Sequence, residues 1–177
     1  KIFNLIILFF IFFNVNSYSE VVNKVSVKGN DRITPETIMI FGDIEIGKNY
    51  EESDIGLLIK KLYDTSFFAN ISVELENNKL TIFVVENPIV NSIIFKGIKA
   101  EKYKKKIKEF LNVREKASYV SNSIKRDINQ IKSFYRALGF YFVKIDAEIE
   151  KLEKNRVNLI YIIDRGEKAK ISKIYFL

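Results

Sequence analysis

The sequence predicts an α+β fold made of two copies of a β-α-α-β-β unit. Each copy is expected to be a three-stranded mixed sheet covered by two helices. Three observations predict it. Val22-Asn23-Lys24-Val25-Ser26-Val27-Lys28-Gly29 returns 68 residues later as Val90-Asn91-Ser92-Ile93-Ile94-Phe95-Lys96-Gly97. Within each copy the apolar period changes in the same order, from alternation to a helical stripe and back to alternation. Residues 159–163, Leu-Ile-Tyr-Ile-Ile, are apolar without a break. Such a run suits a strand flanked on both sides or covered on both faces.

The elements of the first copy follow in order. Val25 and Val27 alternate in a short strand, and Gly29-Asn30-Asp31 supplies a turn. Thr34-Pro35-Glu36-Thr37 reads as a helix start, with Thr34 as the cap and Pro35 at the first helical position. Gly42 is expected to end that helix. A second helix begins at Glu51 or Ser53, with Ile55, Leu58, Ile59 and Leu62 on one stripe. Asn77-Asn78 then makes a two-residue hairpin turn, because asparagine tolerates positive φ. This register puts Ile71, Val73 and Leu75 on one face, opposite Val84, Ile82 and Leu80. Ser72, Glu74 and Glu76 fall on the other face. Asn87-Pro88 closes the copy.

The second copy repeats this order: a strand at 93–95, a helix at 102–111 and a longer helix at 120–138. The inward positions are Tyr103, Ile107, Phe110 and Leu111, then Ile124, Ile128, Ile131, Phe134, Tyr135 and Leu138. Gly139 ends the long helix. A hairpin around Lys154-Asn155 joins strands at 141–151 and 156–164.

Composition bounds the chemistry. The chain has 177 residues, 29 Lys+Arg, 22 Asp+Glu, no His, no Cys and a net charge of +7. Absence of His and Cys removes Ser-His triads, thiol chemistry, disulfides and most metal sites. No phosphate loop or nucleophile elbow appears. The expectation is a non-enzyme with no catalytic residue, no cofactor and no metal. Residues 2–13 form an apolar run broken once, by Asn4. It is too short to span a bilayer and matches the core of a secretory signal, with Ser17-Tyr18-Ser19 as a small-x-small cleavage pattern.

At this point the residues resemble a known family. Residues 25–33 with Glu36-Thr37-Ile38 are similar to the opening of a POTRA (polypeptide-transport-associated) domain of the BamA family of outer-membrane β-barrel assembly factors. Leu62-Tyr63-Asp64-Thr65-Ser66-Phe67-Phe68 resembles the helix-to-strand junction of that repeat, which more often has Gly where this chain has Ser66. Residues 84–90 resemble the inter-repeat linker. Phe134-Tyr135-Arg136-Ala137-Leu138-Gly139-Phe140-Tyr141 resembles the same junction in the next repeat. The implied division is a signal peptide at 1–19, a first POTRA domain at 20–88, a second at 89–166, and the first strand of a third at 167–177.

The resemblance implies a periplasmic scaffold that binds nascent outer-membrane proteins for barrel folding and insertion. Its implied partners are unfolded outer-membrane proteins, periplasmic chaperone, assembly-complex lipoproteins and a C-terminal outer-membrane barrel beyond this sequence, with no nucleic acid. The implied location is the outer membrane of a Gram-negative bacterium, facing the periplasm. The alternative is the POTRA region of a two-partner secretion transporter or a TamA-like translocation factor.

In POTRA domains the last strand is central, which leaves the middle-of-sequence strand at an edge. The candidate client-binding edges are therefore Asn70, Ile71, Ser72, Val73, Glu74 and Leu75 in the first copy. In the second they are Tyr141, Phe142, Val143, Lys144, Ile145 and Asp146. An open edge offers unpaired backbone groups to an extended client. The competing reading is a blunted edge, because Glu74, Glu76, Glu148 and Glu150 place charges along it. Lys102, Lys104, Lys105, Lys106 and Lys108 read first as a solvated helix face. Attraction to anionic headgroups or acidic client segments is the functional reading.

Overall fold

The computed structural model describes residues 20–170, which group into two units. The expected signal segment at 1–19 lies outside the described residues, as do residues 171–177 of the strand expected at 167–177. The first unit takes residues up to Thr65 and then Asn70–Val85. The second takes Ser66–Ala69 and the residues from Glu86 on.

The first unit contains strands β1 (Glu20–Val21), β2 (Lys24–Lys28) and β3 (Asn49–Tyr50) and helices α1 (Pro35–Gly42) and α2 (Glu52–Asp64). Strands β4 (Phe68–Glu76) and β5 (Lys79–Glu86) complete its sheet, although β4 begins within the residues grouped with the second unit. Thr34 caps α1 as its sequence predicts, its Oγ1 accepting the Thr37 amide at 3.3 Å. The end of α1 differs from expectation. Gly42 remains helical, and the left-handed residue is Asp43, at φ 53°. Gly42 is small for a packing reason: a Cβ there would lie 2.9 Å from Ile44 Cδ1. Helix α2 starts where Asp54 accepts the Glu51 amide at 3.0 Å, and it buries Leu58 and Leu62.

The sheet order is β2-β5-β4, with β2 parallel to β5 in the register Lys24↔Lys79 through Lys28↔Phe83. Asn77 and Asn78 sit at φ 51° and 61°, the twin left-handed pair of a tight hairpin turn. Burial follows the predicted alternation. Ile71, Leu80, Ile82 and Val84 are buried, while Ser72, Glu74 and Glu76 are exposed.

The second unit contains β6 (Ile89–Lys96), helices α3 (Glu101–Phe110) and α4 (Ser121–Ala137), and strands β7 (Lys144–Leu152) and β8 (Arg156–Asp164). Its sheet order is β6-β8-β7, parallel on one side of β8 and antiparallel on the other. Strand β7 begins three residues later than expected. Tyr141 and Phe142 form a turn, 60% and 79% exposed, and of these early residues only Val143 is buried. The core joins Ile107, Ile124, Ile131 and Tyr135 of the helices to Ile93, Phe95, Leu159, Tyr161 and Ile163 of the sheet. The Tyr161 ring stacks on Phe95 at 5.8 Å.

Both units close at the same place. At Gly29 (φ 81°) an added Cβ would fall 2.3 Å from the Val84 carbonyl oxygen, and at Gly97 (φ 85°) 2.0 Å from that of Ile163. The first strand leaves the sheet there, directly against the backbone of the central strand. Alanine at 97 would add left-handed strain to a clash with backbone that cannot yield, so Gly97→Ala should cost about 3 kcal/mol or more. Urea denaturation of the 177-residue chain measures this loss. At the end of each long helix the residue past the cap is left-handed, Ser66 at φ 62° and Gly139 at φ 90°. Ser66→Gly should therefore stabilise the chain by about 0.5–1 kcal/mol, read as a raised denaturation midpoint.

Candidate functional site

Strands β4 and β7 each occupy one edge of their sheet. Asn70, Ile71, Ser72, Val73, Glu74 and Leu75 all lie in β4, whereas Lys144, Ile145 and Asp146 open β7 and Tyr141, Phe142 and Val143 precede it. The backbone direction along each edge can be assigned. The Ile71 amide donates to the Tyr63 hydroxyl at 3.1 Å, so it points away from β5. Alternate residues along a strand bond to opposite sides, so Val73 and Leu75 share the outward direction, while Ser72 and Glu74 face β5. In β7 the Asp146 Oδ1 accepts the Ala147 amide at 2.8 Å, which places Ala147 in the outward set with Ile145 and Ile149.

Each edge is thus partly closed by a side chain. Tyr63, from the last turn of α2, covers the start of the β4 edge, and Asp146 covers one amide of β7. Farther along, Glu74 and Glu76 are exposed beside β4, and Glu148 and Glu150 beside β7. Glu150 accepts from Asn158 at 2.7 Å, while Glu148 lies 3.9 Å from Lys96.

At the opposite edges, backbone bonds close only the start of each first strand. In the first unit, Val22 donates to Lys48 O at 2.9 Å and accepts from Gly47 N at 2.7 Å. In the second, Val90 donates to Ala117 O at 2.9 Å and accepts from Lys116 N at 2.7 Å. The loop before α4 then adds a side chain: Glu115 accepts the Ile93 amide at 3.0 Å and the Lys108 ammonium at 2.9 Å.

Sequence reasoning missed Tyr63, Glu115 and one buried group, Asp127. That carboxylate is fully buried. It accepts the amides of Asn112 (2.6 Å) and Val113 (3.1 Å), the Asn112 side chain (2.8 Å) and the Tyr161 hydroxyl (2.9 Å). It binds the end of α3 to α4 and to the central strand. Burial first, and then the Asp127 charge, push the Tyr161 hydroxyl well above the usual tyrosine range. The available signal was an Asp on the inward stripe of α4, three residues after Ile124 and four before Ile131. Its contacts make it a structural group, remote from either edge strand in role. Among the described residues no cluster of His, Cys, Asp or Glu could hold a metal, and no helix is long and apolar enough to cross a membrane.

Glu115 offers a direct reading of the closed edge. The Lys108 hydrogen bond, and next the Ile93 amide, hold its carboxyl below the 4.5 of a free glutamate. Because folding lowers this pKa, the contact is fully present above pH 4.5 and is lost as pH falls through the folded value. An NMR titration should show the Glu115 carboxyl and the Ile93 amide moving together, with a midpoint below 4.5. In Glu115→Gln the Ile93 step should vanish.

Residues 88–166 match the family model described as POTRA, the surface antigen variable number repeat. The chain is 27% identical over 158 residues to the outer membrane protein assembly factor BamA of Neisseria meningitidis serogroup B, covering 88% of this chain and 20% of that protein. It is 21% identical over 159 residues to BamA of Neorickettsia risticii, covering 90% and 21%. The chain therefore spans about a fifth of the length of these curated relatives. Among solved structures, the N-terminal domain of Omp85 from Thermosynechococcus elongatus superposes with a TM-score of 0.54 at 16% identity, over 82% of this chain and 63% of that one. The first two POTRA domains of Omp85 from Anabaena give 0.51 at 15% identity, over 86% and 99%.

Proposed function

We propose that this chain of POTRA repeats is the periplasmic scaffold region of an outer-membrane protein assembly factor. It receives nascent outer-membrane proteins by strand addition and passes them on for barrel folding and insertion. In this reading residues 1–19 are a signal peptide, 20–88 and 89–166 are two repeats, and 167–177 open a third. A membrane barrel follows in the full protein, which faces the periplasm of a Gram-negative bacterium and works with periplasmic chaperone and assembly lipoproteins. Similarity to BamA supports the setting.

The observation that carries the mechanism is the outward amide set on β4 and β7. Backbone pairing does not read side chains, so one edge serves many unfolded clients. Tyr63 and Asp146 each hold one outward amide with a single neutral or local acceptor. An incoming strand exchanges that acceptor for a carbonyl at little net cost, since one hydrogen bond replaces another. The exposed glutamates limit pairing to transient use and oppose edge-to-edge aggregation.

Proline scanning separates the outward from the inward amides. Val73→Pro and Ile149→Pro each remove an outward donor, which an edge strand tolerates. Both variants should keep the parent circular dichroism spectrum. Each should weaken binding of a labelled strand peptide from an unfolded outer-membrane barrel by about tenfold, the loss of roughly one hydrogen bond. Ser72→Pro removes a donor to β5 and should unfold the first unit. If both folded outward variants bind the peptide as the parent does, strand addition at these edges is wrong.

A further inference from the structure

The second unit carries a groove that the proposed function does not use. It lies on the far side of the sheet from β7, between the outer edge of β6 and helix α3, with a volume of about 610 Å³. One wall is three consecutive strand residues, Ile93, Ile94 and Phe95, and the other is four lysines of α3 with Glu101, whose carboxylate is paired with Lys104. We propose that this groove docks an extended peptide segment rich in Asp and Glu.

The backbone supplies the first argument. The closing loop reaches only partway along β6: it takes both Val90 groups, and Glu115 takes the Ile93 amide. The Ile93 amide therefore points away from β8, and by alternation the Phe95 backbone does too. Beyond Ile93 no strand lies on this side of β6 among the described residues. The Phe95 amide and carbonyl thus open onto the groove, beside the 38% exposed side chain of Ile94. Such a short free edge matches a few residues of extended chain.

Charge supplies the second. Helix α3 holds five lysines against two glutamates. Lys104 is paired with Glu101 at 2.6 Å and Lys108 with Glu115 at 2.9 Å. Lys102 lies over the Tyr103 ring at 5.2 Å, and neither Lys102 nor Lys105 has an ion-pair partner among the described residues. Two unpaired ammonium groups thus stand over a wall with apolar side chains and unmet backbone groups. An acidic extended segment satisfies all three at once. A bilayer surface would engage the lysines but leave the Phe95 backbone and Ile94 unmatched.

The test uses the 177-residue chain, two labelled decapeptides alternating Val with Glu or Val with Lys, and phosphatidylglycerol vesicles. The acidic peptide should bind at low salt and slow hydrogen exchange at the Phe95 amide. Binding should fall about tenfold or more in the double variant Lys102→Glu, Lys105→Glu, and similarly on raising ionic strength to about 0.5 M. Both lysines are surface groups, and unchanged circular dichroism confirms the fold of the variant. Four results overturn the proposal: equal binding of the two peptides, binding unchanged in the double variant, protection confined to β7 amides, or no peptide binding up to about 1 mM. Vesicle binding without peptide binding overturns it in favour of a lipid surface. The outcome is independent of the β4 and β7 proline variants, which lie on other edges.

Discussion

Everything in these two units depends on the last strand of each lying between the other two. Strand β5 is parallel to β2, and β8 is parallel to β6 and antiparallel to β7. A central strand is paired on both sides, so its apolar run is buried along its length: Leu159, Tyr161 and Ile163 toward the helices, and Ile160 on the other face. The same placement pushes the hairpin's first strand to an edge in both units. It also sends the first strand past the end of the central one, where only glycine fits, at Gly29 and Gly97. The edges that matter for binding and the glycines that matter for stability thus share one cause.

The second unit adds a polar lock to this frame. A carboxylate without a cation is costly inside a protein, and Asp127 offsets that cost with four hydrogen bonds. Two of its donors are backbone amides at the end of α3 and one is the hydroxyl of Tyr161 on the central strand. Three elements are therefore registered by a single side chain. In the first unit the inward face of α2 is apolar instead, with Leu58 and Leu62 buried.

Much of this was legible in the residues because local chemistry and tertiary position agreed. Thr34-Pro35 starts a helix by satisfying orphan amides, Asn77-Asn78 turns a hairpin through positive φ, and the 68-residue repeat of Val22–Gly29 at Val90–Gly97 marks where the second copy begins. Where the reading failed, a local pattern had two outcomes. Phe140, Tyr141, Phe142 and Val143 follow a helix end with strand-forming residues, yet a turn intervenes and Phe142 is left exposed. Gly42 looked like a helix terminator but serves as a small packing surface, with Asp43 taking the left-handed conformation. At the edges, sequence alternation located the strands. The side chains that hold their amides were invisible because they come from elsewhere: Tyr63 from a helix, and Glu115 from a loop 22 residues away.

The parallel pairing also sets an order of events in time. The β4–β5 and β7–β8 hairpins close over short turns, so they form early and need little loop entropy. Strand β2 must wait for a partner that begins at Lys79, and β6 for one that begins at Arg156. A chain delivered from its N-terminus therefore holds each first strand, with its valines or isoleucines, unpaired until nearly the whole unit has appeared. Each sheet can close only once its central strand has appeared, and any chain cut short before that strand leaves an apolar strand without a sheet to join.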